Sequence, residues 1–326
     1  MTQSNSLPAT TVFVGIDVAL DKLDLARSDA NQVLTFANNP EGIAQIIQLL
    51  QPLAPSTIVV EATGGLEQDI LAALLEAGLP VALANPGRVR QFAKGLGRLA
   101  KTDAIDAHVQ AEFARLAAPR LAQKRSENQQ ELDALVTCRR QLTQVRTEQS
   151  NRRRQTRSKP ALKAIDAVLK TIQQQIKKLD AQIAKLIESD EDFNACDAVL
   201  QSAPGVGPVL SATIMADLSE LGSTGRRQIS ALAGVAPFNQ DSGRMKGTRA
   251  IRGGRTAVRG VLYMAAVAAM RFNPIIKTFA ERLKKTGKKP KIVIVACMRK
   301  LITLLNAMLR DNLSWNQLNL VQALDL

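Results

Sequence analysis

The pattern of apolar and polar positions changes character along the 326 residues. Over residues 11–37 it comes in short bursts of β type. Residues 11–18 form a β-branched run holding Gly15, residues 23–27 alternate apolar and polar, and Val33–Ala37 follows the polar turn Asp29-Ala30-Asn31-Gln32. Short strands joined by tight turns predict an antiparallel meander. Asn39-Pro40-Glu41 then opens a helix to about residue 53, with Ile43, Ile46, Ile47 and Leu50 at helical spacing. A buried-type strand over 57–60 leads into Glu61-Ala62-Thr63-Gly64-Gly65. A helix over about 66–77, a strand over 80–84 and the turn Asn85-Pro86-Gly87 complete the order βββαβαβ. That order predicts an α/β domain with a mixed sheet over residues 1–120.

The rhythm then becomes helical. Leu162, Ile165, Leu169, Ile172, Ile176, Leu179, Ile183 and Leu186 are spaced alternately by three and four residues. Such a seam predicts a coiled coil. Leu135, Cys138, Leu142 and Val145 repeat the spacing more weakly upstream. Between the two seams lies a basic turn with Arg152, Arg153 and Arg154, ending at Pro160. We expect two long helices over 121–195 that pack on each other or on a second subunit, because an isolated seam would stay exposed. Residues 196–326 read as a helical domain: helices over about 209–218, 261–270, 275–285 and 291–309, and a Gly- and Arg-rich loop over 241–260.

Charge adds a partner. Residues 1–120 hold 9 basic and 12 acidic residues, whereas residues 241–300 alone hold 16 basic and 2 acidic. A basic block of that density faces a polyanion. Aromatic residues are only 3%, so backbone contacts by Arg and Lys are favoured over base stacking. The longest apolar run, 261–270, is too short to cross a bilayer, which needs roughly 20 residues. The N-terminal residues do not read as a secretory signal, and Cys138, Cys196 and Cys297 form no CxxC pair, which fits a reducing cytoplasm.

Two constellations carry chemistry. Asp17 and Glu61 end two strands, and Asp103 and Asp106 stand three apart, on one face of a helix. Taken singly, each has a plain alternative as a turn cap, an exposed strand end or a first-turn acid. Four carboxylates converging at a sheet edge would need a hard cation such as Mg²⁺ to offset their repulsion. The second constellation is the loop Asp241-Ser242-Gly243-Arg244-Met245-Lys246-Gly247-Thr248-Arg249, continuing through Arg252, Arg255 and Arg259. The single histidine, His108, is remote in sequence, which argues against a Ser-His-Asp hydrolase. A serine among arginines suits attack on a phosphodiester, although chemistry alone favours a plain basic loop whose serine is only a turn residue. Pro204-Gly205-Val206-Gly207 reads either as a helix-hairpin-helix turn or as a simple interhelix turn.

Together these residues resemble the DEDD transposases and recombinases of insertion sequences, a family that includes Piv-type invertases and bridge-RNA-guided recombinases. The resemblance rests on Gly15-Ile16-Asp17-Val18, Val60-Glu61-Ala62-Thr63-Gly64, Asn85-Pro86, Lys101-Thr102-Asp103-Ala104-Ile105-Asp106-Ala107, Pro204-Gly205-Val206-Gly207, Ser242-Gly243, Arg252-Gly253-Gly254-Arg255 and Ala296-Cys297-Met298-Arg299-Lys300. It implies a RuvC-like domain of the RNase H class, a coiled coil and a helical domain. It implies Mg²⁺ on Asp17, Glu61, Asp103 and Asp106, and a Ser242 nucleophile that links to DNA. It also implies a homo-oligomer, dimer or tetramer, with a composite active site acting on double-stranded donor and target DNA, and a noncoding guide RNA. Arg152, Arg153, Arg154, Arg244, Lys246, Arg249, Arg252, Arg255 and Arg259 are the expected nucleic-acid contacts. The rival readings are a metal-only RuvC-like nuclease, in which water attacks, and a non-catalytic nucleic-acid-binding protein.

Overall fold

The computed structural model describes residues 11–100, 102–239, 241, 242, 245, 247 and 249–317. The chain forms two compact units, residues 1–125 and 126–326.

The first unit is built on β1 (Phe13–Val18), β2 (Lys22–Arg27), β3 (Val33–Ala37), β4 (Thr57–Glu61) and β5 (Val81–Ala84). Their order across the sheet is β3-β2-β1-β4-β5. β1 pairs antiparallel with β2 and parallel with β4, and β5 runs parallel to β4. The sequence pattern explains which strands are central. β1 and β4 are nearly continuous apolar runs buried on both faces, whereas β3 alternates and leaves Thr35 and Ala37 exposed at an edge. Helix α1 (Pro40–Leu53) starts where Asn39 accepts from the Gly42 amide and buries Ile43, Ile46 and Leu50. Helix α2 (Gln68–Glu76) follows β4. Asn85 does more than turn the chain: its side chain caps a helix the pattern did not foretell, α3 (Pro86–Gly95). Thr102 caps α4 (Asp103–Ala117), whose Ala107, Ala111 and Ala114 are small enough to bring the helix close to the sheet. This mixed-sheet α/β arrangement is the one expected of a RuvC-like domain.

The second unit is helical. α5 (Glu127–Gln155) and α6 (Lys159–Ser189) pair antiparallel, as the Arg139–Asp180 and Arg153–Asp166 ion pairs show. The three-four seam of α6 lies inward: Ile172, Ile176 and Ile183 are buried, and Leu162, Ile165, Leu169, Leu179 and Leu186 are half-buried. Each fully buried Ile is worth about 1.5–3 kcal/mol, so the seam suffices to hold this hairpin. At its base Leu132, Val136, Ile183 and Ile187 join one core with α7 (Glu191–Gln201), α8 (Pro208–Asp217), α9 (Arg226–Leu232), α10 (Thr256–Phe272), α11 (Pro274–Lys285) and α12 (Pro290–Arg310). The Gly- and Arg-rich loop is therefore shorter than the pattern implied, because α10 begins at Thr256 and absorbs Gly260. α12 is long and apolar enough to cross a membrane by composition. Its Val293, Cys297, Leu301, Ile302 and Leu305 are instead fully buried in the core of this unit.

Asn273 joins three elements. It is fully buried, caps α11 by accepting from the Ile276 amide at 3.1 Å, and donates to the Pro204 carbonyl at 3.3 Å. Asn273→Ala should remove a cap and leave that carbonyl unpaired, at a cost of about 1–2 kcal/mol. Thermal unfolding is expected to move down by about 4 °C, with helix content unchanged below the transition.

Candidate active site

The acidic residues of the first unit are assembled by the sheet and α4. In the parallel pair, Gly15 lies beside Val59 and Ile16 beside Val60. Asp17 and Glu61 are the next positions on both strands, at their C-terminal ends, where open α/β sheets place their ligands. Asp103 and Asp106 occupy the first turn of α4. Gln110, one turn further along the helix, donates from Nε2 to Asp17 Oδ1 at 3.2 Å and ties α4 to β1.

The electrostatics of Asp17 reflect both its burial and the acids around it. Its carboxyl is pushed up from 3.8 to about 6, first by burial and then by the charges of Asp106, Asp103 and Asp24. The hydrogen bond from Gln110 acts in the opposite direction.

Two residues of β2, Lys22 and Asp24, belong to the same cluster, although neither stands out in the sequence. Asp24 stands directly opposite Asp17 in the antiparallel register, so the two side chains share a face. Asp24 is buried; Thr35 donates to its Oδ1 at 2.6 Å and Lys22 Nζ to its Oδ2 at 2.8 Å. The same ammonium lies 2.7 Å from Asp103 Oδ2. Those two hydrogen bonds raise the Lys22 pKa, that to Asp103 being the larger cause. The signal was the Lys-x-Asp alternation, which puts both residues on the face of Asp17. The segment after Glu61 is fixed by a further acid: Glu67 Oε2 accepts from the amides of Thr63 and Gly65, both at 2.9 Å. His108 reaches the Asn31 carbonyl at 3.2 Å and takes no part in the cluster.

The donor set suits a hard divalent cation. Asp17 carries the repulsion of neighbouring acids, and Gln110 Oε1 is buried beside it with no hydrogen-bond partner among the described residues. Among the described residues, no three His, Cys, Asp or Glu side chains stand close enough to enclose an ion as they are placed. Asp103 is turned toward Lys22 instead.

In the second unit, β6 (Pro237–Phe238) and β7 (Ala250–Ile251) form a two-stranded base for the serine loop. Ser242 is exposed and exchanges both backbone hydrogen bonds with Met245, at 3.1 and 2.9 Å. Beside it, Asp241 accepts from both Arg249 guanidinium ends, at 2.6 and 2.9 Å, and from the Gly247 amide. The Arg249 pairing holds the Asp241 carboxyl below its usual range. Arg255 is bidentate on Glu220 at 2.5 and 2.7 Å, and Arg259 donates to the Gly253 carbonyl at 2.8 Å. A Cβ on Gly254 would meet the Gly234 amide at 2.3 Å, so the two backbone segments touch where the loop closes. Arg249, Arg255 and Arg259 thus shape the loop, while Arg252 is exposed. Arg244 and Lys246 lie outside the described residues. On the hairpin, Arg152 and Arg154 are exposed and Arg153 pairs with Asp166 across the tip. The Gly205 turn is a packing device: at φ +96° its missing Cβ lets the chain approach the Ala269 backbone, whereas Gly207 faces open space.

A mixed sheet with clustered acids at its strand ends, followed by a basic helical unit, defines an enzyme of nucleic-acid phosphodiester chemistry. Comparison with known proteins makes this specific. A DEDD-type IS110 transposase model matches residues 14–157, and a model described as transposase IS116/IS110/IS902 family matches residues 197–281. The chain belongs to the IS110-type DEDD transposases and is a DNA transposase or recombinase. It is 29% identical to the pilin gene-inverting protein of Moraxella lacunata, over 92% of this chain and 96% of that one. It is 25% identical to the transposase for insertion sequence element IS1111A of Coxiella burnetii, over 79% of this chain and 78% of that one.

Proposed function

We propose that the chain moves or inverts DNA segments by a serine-linked, cation-dependent strand exchange. The observation that carries this reading is Asp17, raised to about 6 among Asp106, Asp103 and Asp24 at the end of a central strand. Asp17, Glu61, Asp103 and Asp106 would hold the ions, and Mg²⁺ bound there would stabilise charge on the attacking and leaving oxygens.

Ser242 supplies the nucleophile. Its Oγ loses a proton and forms a bond to phosphorus as the bond to the leaving strand breaks, and the departing oxygen takes up a proton. Rejoining reverses the step: a hydroxyl of the new strand attacks and the serine is released. Both steps exchange one phosphodiester for another, so no outside energy source is needed. The Asp241–Arg249 pair holds the loop that presents Ser242. The exposed Arg152, Arg154 and Arg252, together with Arg244 and Lys246, contact phosphates of double-stranded DNA. The family resemblance further supports a homo-oligomer, with the hairpin as its coiled-coil support, and a noncoding guide RNA.

The test uses a plasmid carrying the DNA that flanks the gene. With Mg²⁺ we expect an SDS-stable protein–DNA adduct that peptide mapping assigns to Ser242, and no adduct from Ser242→Ala. Mg²⁺-dependent breakage without an adduct is the result for a water-using nuclease. DNA binding without breakage is the result for a binding protein. RNase treatment that leaves recombination unchanged would remove the guide RNA from the reading.

A further inference from the structure

We propose that Lys22 is an exchangeable counter-ion of the acidic cluster. Its ammonium holds Asp103 in place of a metal charge and hands that carboxylate over when a divalent cation binds. The inference rests on the cation site proposed above and adds to it a residue outside the acidic quartet.

The geometry distinguishes the two partners of Lys22. Asp24 is the fixed one: it is 4% exposed, and its two oxygens are engaged by Thr35 and Lys22. Asp103 is the exchangeable one. Its side chain is 54% exposed and sits at the first residue of α4, reaching Lys22 across the opening of the cluster at 2.7 Å. The Lys22 side chain is itself 43% exposed, so its ammonium can leave one oxygen without leaving water. With Asp103 drawn to β2, the acids do not close around a common point. A doubly charged ion among the same acids outcompetes a single ammonium for Asp103. Lys22 then remains anchored on Asp24 with one donor direction turned outward. Lys22 is therefore a positioning residue: it keeps the carboxylates from repelling one another apart before the cation arrives, at the cost of competing with it.

The competition has a sign that a merely structural role does not. Mn²⁺ binding to the purified full chain, read as loss of the free-ion electron paramagnetic resonance signal, measures it without any turnover. Lys22→Gln removes the competing charge and is expected to bind Mn²⁺ about tenfold more tightly than wild type at pH 7.5. Lys22→Met, apolar and of similar length, should show the same gain, and Lys22→Arg, which restores the charge, should return affinity to near the wild-type value. Unchanged or weaker binding by the first two variants, with wild-type Mn²⁺ binding abolished by Asp17→Asn, overturns the counter-ion role and leaves the cation site standing. Absence of any Asp17-dependent Mn²⁺ binding in the wild type overturns both.

Discussion

Asp17→Asn is expected to abolish strand exchange and, in cation-free buffer, to make the protein more stable. The two effects share one cause. Asp17 is held among Asp106, Asp103 and Asp24 with its carboxyl at about 6 instead of 3.8, so the folded state disfavours its charge. Asparagine keeps the shape and removes the charge. A shift of this size corresponds to about 3 kcal/mol at 1.36 kcal/mol per unit; partial exposure and screening reduce it to about 1 kcal/mol. That predicts a rise of about 2–4 °C in Tm. The sign of the pH dependence follows from linkage. Because the folded-state pKa lies above the unfolded one, the native protein binds the extra proton between pH 4 and 6. The penalty is absent below about pH 4, grows through this window and is complete above about pH 6. The stability gain of Asp17→Asn should follow that course in a series of melts in EDTA. A gain that is constant with pH would contradict the electrostatic cause. Mg²⁺ should stabilise the wild type above pH 6 and leave the variant unmoved. If Asp17 holds the ion of the proposed cation site, losing it predicts a fall in recombination of about 10³-fold or more.

Gly15→Ala should be the most damaging change to the fold for its size. A Cβ there would lie 2.2 Å from the Ala107 carbonyl oxygen and 2.5 Å from the Ala111 amide nitrogen. These are backbone atoms of α4, so no rotamer change relieves the overlap; the helix must move off β1. α4 carries Asp103, Asp106 and Gln110. One methyl group therefore destabilises the unit and pulls three cluster residues away from Asp17. A loss of about 3 kcal/mol, the upper part of the range for overpacking, predicts a Tm lower by about 10 °C. Calorimetry should show this alongside a loss of the Asp17-dependent response to Mn²⁺. Gly95→Ala is the matched control. Among the described residues nothing lies within 4 Å of its added Cβ, and it should change the Tm by no more than a degree or two.

These cases also show where the amino-acid pattern stops informing. The five strands of the sheet, their order along the chain and the first helix follow from alternation, β-branching and the cap at Asn39. These signals are local, so they can be read without partners. The order of the four acids along the chain suggests a shared site, but the nearness of Asp17 to Asp103 and Asp106 depends on α4 lying on β1, which no local signal carries. The part of Lys22 was hidden for the same reason: a Lys-x-Asp strand is ordinary until the register sets Asp24 opposite Asp17. In the basic loop, composition correctly found the arginines but not their occupations. Arg255 and Arg259 look alike in the sequence, yet one meets a carboxylate and the other backbone carbonyls. The apolar stretch of α12 reads as an unusually greasy segment until its neighbours bury it.

The contact between Gly234 and Gly254 closes the serine loop at its root, with Arg255 and Arg259 fastening the neighbouring backbone. The chain between these two glycines thus leaves and returns to the same point, and its length is uncoupled from the helices beneath. Doubling such a loop costs only about 0.6 kcal/mol in closure entropy. The segment bearing Ser242 can be treated as a cartridge on a fixed mount. Relatives could diverge freely in what it carries, and an engineer could exchange it, without redesigning the scaffold that holds it.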